Sequence, residues 1–169
     1  MKLQELQKKN IIIWGAGRDG VSALGQIQKI FPTKKILICT DKEAPPELRA
    51  VLQNQGFVEF VCGNHIVENL SRSDVVIKSP GISLYRDDIK SAAKKGVQFL
   101  STTNLWFAEN GDKNIIAVTG TKGKSTTASI IYHCLKNFGV SVEICGNIGK
   151  PLLNYLDKHH NTDTYIVEL

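Results

Sequence analysis

One stretch limits the chain more than any other: Ile115-Ile-Ala-Val-Thr-Gly-Thr-Lys-Gly-Lys-Ser-Thr-Thr127. Ile115 to Val118 is apolar and of strand length, Gly120 and Gly123 turn the chain tightly, and Ala128 to Phe138 reads as a helix. A strand that breaks at glycines and feeds a helix N-terminus presents backbone N–H groups to an anion, with no side chain obstructing a polyphosphate. In such a cradle Lys124 brings a cation to the terminal phosphates, and the Ser125 hydroxyl offers a ligand to Mg²⁺. The strict phosphate-loop pattern asks for glycine five residues before Gly123, where Val118 stands, but the Gly-Lys-Ser core and its strand–loop–helix context are kept. The stretch predicts a nucleoside triphosphate site, and a plain glycine turn with solvated lysines is the alternative.

The rest of the chain alternates in the same manner. Ile11 to Trp14 is a candidate buried strand, Gly15-Ala-Gly-Arg-Asp-Gly20 a turn, and Val21, Leu24, Ile27 and Ile30 recur at near-helical spacing. Ile36 to Cys39 then ends in Thr40-Asp41, which completes a strand–glycine turn–helix–strand–acid series of dinucleotide type. A helix is predicted from Pro45-Pro46 to Gly56 and another over Asp87–Lys95. Short strands are predicted over Phe57–Val61, Asp74–Lys78 and Val97–Leu100, and Thr103–Glu109 reads as a short helix. Asn110-Gly-Asp-Lys113 is the best linker candidate, dividing the chain into 1–109 and 110–169. Beyond the phosphate loop come a strand over Val140–Cys145, the turn Gly146-Asn-Ile-Gly-Lys-Pro151, a helix suggested by Leu152, Leu153 and Leu156, and a last strand ending in Glu168. A strand-end acid near a phosphate loop commonly holds the metal. The expected class is α/β: a Rossmann-like front domain with a parallel sheet, then the first part of a phosphate-loop ATPase domain. So small a second domain buries its own sheet poorly, and the sequence reads as the front part of something longer.

Composition excludes several other classes. The 169 residues carry a net charge of +5 with only scattered lysine pairs, so no nucleic-acid track is expected. Nothing approaches the ~20 apolar residues of a membrane span, and the N-terminus has no signal-peptide core. Cys39, Cys62, Cys134 and Cys145 have no metal-ligand spacing, and reduced thiols in a cytoplasmic protein are the simple reading. His65, His133, His159 and His160 are read as surface residues, and Trp14 and Trp106 as packing residues.

Taken in order, Gly15–Gly20, Ser79-Pro-Gly-Ile82, Thr119–Thr127, Gly146-Asn-Ile-Gly149 with Pro151, and Val167-Glu-Leu169 resemble the Mur ligase family, specifically its D-glutamate-adding member. The resemblance covers nearly the whole chain. It implies ATP-dependent amide formation in peptidoglycan precursor synthesis, and so a part in cell wall biogenesis, cell shape and cell division. ATP would phosphorylate the carboxylate of UDP-N-acetylmuramoyl-L-alanine, and D-glutamate would attack the acyl phosphate. By the same resemblance Gly120, Thr121, Lys122, Gly123, Lys124, Ser125 and Thr126 hold ATP, Lys124 and Glu168 are catalytic, and Ser125 and Glu168 ligate Mg²⁺. The UDP-substrate set is Gly17, Arg18, Asp19, Gly20, Asp41, Lys42, Gly81 and Asn147. A monomer is expected. Later central-domain segments and the domain that brings D-glutamate would lie beyond Leu169, so this portion alone is expected to be inactive. Two departures stand out: Lys122 replaces the family's usual asparagine, and Asp19 replaces a serine or threonine that faces the diphosphate. A carboxylate at 19 repels that ligand unless Arg18 pairs with it or takes over the contact. A nicotinamide-dependent dehydrogenase, a non-catalytic UDP-sugar- or ATP-binding homologue, and a generic phosphate-loop kinase are the competing readings.

Overall fold

A computed structural model describes residues 1–41, 43, 57–63, 65–156 and 162–169. These residues form two compact units, Met1–Leu105 and Trp106–Leu169. The division falls within a helix, just ahead of the Asn110–Lys113 segment.

In unit 1 the strands are β1 (Ile11–Trp14), β2 (Ile36–Thr40), β3 (Val58–Cys62), β4 (Val75–Lys78) and β5 (Gln98–Leu100), and the helices are α1 (Arg18–Ile30), α2 (His65–Leu70) and α3 (Asp87–Lys94). The sheet order is β3-β2-β1-β4-β5, with every pair parallel. All four residues of β1 are buried, which explains its unbroken apolar run: a central parallel strand covered on both faces has no solvent side to alternate with. Gly20 of α1 lies against Ile13 on one face. On the other, Ile12 and Trp14 join Ile66 and Leu70 of α2 and Ile89 and Ala92 of α3 in one apolar cluster. The six-residue α2 is not foreseen in the sequence, while the helix expected after Pro45 lies outside the described residues.

The helix α4 (Thr102–Glu109) leads into unit 2. There β6 (Asn114–Val118), β7 (Val142–Gly146) and β8 (Thr164–Glu168) make a parallel sheet in the order β6-β8-β7. Central β8 is buried throughout, whereas edge β6 is buried only at Val118. Trp106 and Tyr155 both set their rings edge-on to Tyr165 of β8. The helix α5 (Lys124–Asn137) covers the other face through Ala128, and it leaves Ile130 58% exposed and Phe138, its C-cap, 85% exposed. It starts at Lys124 rather than at Ala128, the start predicted from the apolar pattern. Lys124-Ser-Thr-Thr127 reads as loop because it is polar, yet the first helical turn has N–H groups without intrahelical partners and suits polar residues. The leucines after Pro151 form a four-residue 3₁₀ turn, Leu152–Tyr155, rather than a full helix.

Trp14 and Trp106 are both fully buried. Cys39 and Cys145 are buried free thiols, each pushed up to about 12 by burial and then by a nearby carboxylate, whereas Cys134 is exposed. Among the described residues no helix is long and apolar enough to cross a membrane, and no cluster of three or more His, Cys, Asp or Glu could hold a metal.

Candidate functional site

In unit 2 the three strand ends bring the candidate residues together. Strand β8 lies between β6 and β7, with Glu168 in register with Val118 on one side and Gly146 on the other. The loop leaving β6 and the loop leaving β7 therefore both emerge beside Glu168. The Leu169 N–H donates to the Val118 carbonyl at 2.9 Å, and the Asn147 N–H to the Glu168 carbonyl at 3.1 Å. Gly146 has φ +103, and a side chain there would run into the Glu168 backbone, while one at Gly149 would strike the Ile144 carbonyl. Glycine at 146 lets this loop pass close to the end of β8, and glycine at 149 lets it fold back on β7.

The phosphate loop stands opposite. Gly120 (φ +147) and Gly123 (φ +77) both lie in the left-handed region, and Gly123 is the N-cap of α5. Lys124 folds back so that its Nζ donates to the Gly120 carbonyl at 2.7 Å. The Ser125 Oγ donates to Glu168 Oε1 at 3.0 Å across 43 residues of sequence. Glu168 is only 5% exposed, and among the described residues its Oε2 has no hydrogen-bond partner. A buried carboxylate oxygen without a partner is costly unless a cation or a donor meets it. The hard oxygen pair of Ser125 and Glu168, one oxygen orphaned, fits a small divalent cation that takes its other ligands from phosphate and water.

In unit 1 the loops after β1 and β4 meet at the carboxyl edge of the sheet. Gly15 (φ +112) donates to the Cys39 carbonyl at 2.8 Å, and the Ser79 N–H to the Trp14 carbonyl at 2.8 Å. A side chain at Gly15 would strike Ser79, and one at Gly20 would strike the Gly15 carbonyl, so both glycines serve close packing. Gly17 differs. It caps α1, and a side chain there would meet nothing within 4 Å. Gly81, in the turn closed by the Ile82 N–H on the Ser79 carbonyl, also faces open space. Asp19 lies in the first turn of α1, where burial raises its carboxyl pKa and the Arg18 cation opposes the rise. Lys78 donates to the Ser79 carbonyl at 3.3 Å, and burial lowers its ammonium pKa.

Asp41 follows β2 and is met by Arg86, a residue the sequence reading passes over. Nothing in a run such as Tyr85-Arg-Asp-Asp88 marks a partner 45 residues away. Of the expected UDP-substrate set, Gly17, Arg18, Asp19, Gly20, Asp41 and Gly81 belong to unit 1, Asn147 belongs to unit 2, and Lys42 lies outside the described residues.

Comparison with known proteins gives these edges a lineage. Residues 9–101 match the model of the Mur ligase MurD-like N-terminal domain, and residues 118–168 that of the Mur ligase middle domain. The chain belongs to the Mur ligase family. A UDP-N-acetylmuramoyl-L-alanine–L-glutamate ligase of Xanthomonas axonopodis pv. citri is 34% identical over 174 aligned residues, covering 100% of this chain and 36% of the relative. The ligase of the same name from Xylella fastidiosa is 35% identical with the same coverage. A UDP-N-acetylmuramoylalanine–D-glutamate ligase of Idiomarina loihiensis is 32% identical over 95% of this chain and 36% of its own length. The chain thus spans about a third of the length of the curated relatives it matches. In fold it is similar to the UDP-N-acetylmuramate:L-alanyl-γ-D-glutamyl-meso-diaminopimelate ligase of Neisseria meningitidis, with TM-score 0.51 and 22% identity, covering 95% of this chain and 52% of that one. Family membership accounts for the order of the two units: a MurD-like N-terminal domain followed by a middle domain.

Proposed function

We propose that this chain is the substrate- and nucleotide-binding front portion of an ATP-dependent glutamate ligase acting on UDP-N-acetylmuramoyl-L-alanine, monomeric and cytoplasmic. The observation that carries the reading is the joining of Ser125, Glu168 and the phosphate loop at one strand edge, in a chain whose whole length matches ligases of that name. In this reading Gly120 to Thr126 wrap the ATP phosphates with backbone N–H groups, and Lys124 exchanges the Gly120 carbonyl for the terminal phosphate. Ser125 and Glu168 hold Mg²⁺, which when bound neutralises charge on the phosphates during transfer. Lys122 adds a second cation beside the loop. In unit 1 the diphosphate lies over Gly17, where no side chain competes for space, and the uridine sits near Asp41 and Lys42. Phosphoryl transfer to the alanyl carboxylate and displacement of phosphate by the glutamate amine then ask the protein chiefly for position and charge. Relatives named for L-glutamate and for D-glutamate both match, and the residues described above address the acceptor and ATP rather than the amino acid.

The test is calorimetric titration of the chain with UDP-N-acetylmuramoyl-L-alanine, with UDP and NADH as controls. Binding of both UDP ligands without NADH is expected. NADH binding in their place would move the assignment to a dehydrogenase. In the longer protein, phosphate release is expected only when acceptor and glutamate are both present, with the D- and L-enantiomers offered separately. Release indifferent to the amino acid would end the ligase reading.

A further inference from the structure

The carboxyl edge of unit 1 carries a side-chain cluster that the diphosphate contacts do not use. The Arg86 guanidinium carbon lies 4.7 Å from the centre of the fully buried Trp14 ring. Its Nη1 donates to Asp41 Oδ1 at 3.1 Å. Its Nε donates to Asp88 Oδ1 and Oδ2 at 3.1 and 3.2 Å, and its Nη2 to Asp88 Oδ2 at 2.8 Å. One cation therefore ties together the end of β1, the residue after β2 and the first turn of α3. In doubly wound sheets the ligand crevice opens outside the strand carboxyl ends where the strand order reverses. In the order β3-β2-β1-β4-β5 that place is β1, between β2 and β4, and Trp14 is its last residue.

Charge decides what this cluster can recognise. One guanidinium faces two carboxylates, so the group carries a net negative charge, and each guanidinium nitrogen already donates to an acid. The net negative charge of the group disfavours a phosphate here. A neutral hydrogen-bond donor does: Asp41 is 46% exposed on its side chain, and Arg86 engages only its Oδ1.

We propose that Arg86 is a positioning residue for the nucleoside end of the substrate: seated over Trp14, it holds Asp41 by Oδ1 so that the second carboxylate oxygen accepts a hydrogen bond from uridine. This rests on the UDP reading of unit 1. The donor is either the ring N–H of uracil or a ribose hydroxyl. Arg86 serves specificity without touching phosphate, and a lysine replaces it only in part, because a compact ammonium lacks the planar fork that grips Asp88 while reaching Asp41.

The experiment is a double-mutant cycle on UDP affinity of the chain, comparing wild type, R86Q, D41N and the double variant. R86Q and D41N are each expected to weaken UDP about 10-fold, and the double variant to bind no more weakly than D41N. R86K, which keeps a cation over Trp14 and so protects folding, is expected to lose about 3-fold. CDP, which lacks the ring N–H, and 2′-deoxy-UDP, which lacks the hydroxyl, identify the donor: the analogue that D41N no longer weakens is the one missing it. UDP affinity unchanged in R86Q and R86K, losses that multiply in the double variant, or D41N weakening both analogues as it weakens UDP would overturn the proposal. Wild-type chain that binds no UDP would instead remove the UDP reading itself, and this role with it.

Discussion

The two glycine turns are built to the same plan, strand into turn into helix N-terminus, and they use glycine for opposite reasons. In unit 1, Gly15 and Gly20 are small because protein is packed against them, Ser79 on one and the Gly15 carbonyl on the other. In unit 2, a side chain at Gly120 would meet nothing closer than 3.7 Å and one at Gly123 nothing within 4 Å, so those positions are glycine for their left-handed backbone, and the space beside them is open. The charge differs as well. The first turn places Asp19 in the opening turn of its helix, and the second places Lys124 there. Similar spacing thus yields one turn that is rigid by packing and ambivalent toward anions, and another that is open and cationic.

Substituting the glycines separates these demands most sharply. Gly20→Ala drives a methyl group into the Gly15 carbonyl and is expected to cost unit 1 about 3 kcal/mol, read as a lower urea midpoint. Gly123→Ala meets no atom and is expected to cost only the left-handed penalty of about 1–2 kcal/mol. Gly17→Ala, at an ordinary φ of −79° facing open space, is expected to cost under about 1 kcal/mol while weakening UDP. Equal losses for Gly20→Ala and Gly17→Ala would show that packing does not distinguish them.

The proposed ATP site invites the next test. Lys124→Ala removes a flexible cation whose only described partner is a loop carbonyl, so ATP affinity is expected to fall about 10- to 100-fold with the urea midpoint unmoved. Glu168→Gln discharges a buried carboxylate whose Oε2 lacks a partner. The ligand-free chain is therefore expected to keep or gain thermal stability, while the tightening of ATP by Mg²⁺ disappears. A variant that loses stability and keeps its Mg²⁺ response would make Glu168 a structural residue.

Legibility in the sequence follows the range of the physics involved. The central strand Ile11–Trp14 and the phosphate loop are readable because burial on both faces and tight turns act over a few adjacent residues. The Ser125–Glu168 pair spans 43 residues, and it is anticipated only because a motif and a strand-end acid mark its two halves. Arg86 meeting Asp41 has no such markers, so topology alone discloses it. The early start of α5 is hidden because polar residues suit both a loop and a first helical turn. The six-residue α2 buries only Ile66 and Leu70, too few positions to establish a period.

The smallest expected effect concerns the charge difference itself. Burial raises the Asp19 pKa more than Arg18 lowers it, so the folded chain holds this proton to a higher pH than the unfolded chain does. The sign follows from linkage: between the two pKa values the folded state binds more protons, so Asp19 detracts from stability as pH rises through that window and ceases to do so as pH falls below it. The same carboxylate, when ionised, opposes a diphosphate at Gly17. Asp19→Asn removes both effects, so its UDP affinity is expected to exceed wild type by about 3-fold at pH 7.5, with the advantage shrinking as the wild-type carboxyl is protonated at lower pH. Added salt should narrow the gap too, because the repulsion is screened. Weaker UDP binding by Asp19→Asn at every pH would mean that Asp19 orients Arg18 toward the ligand, and the two turns would then differ in geometry but not in their welcome to phosphate.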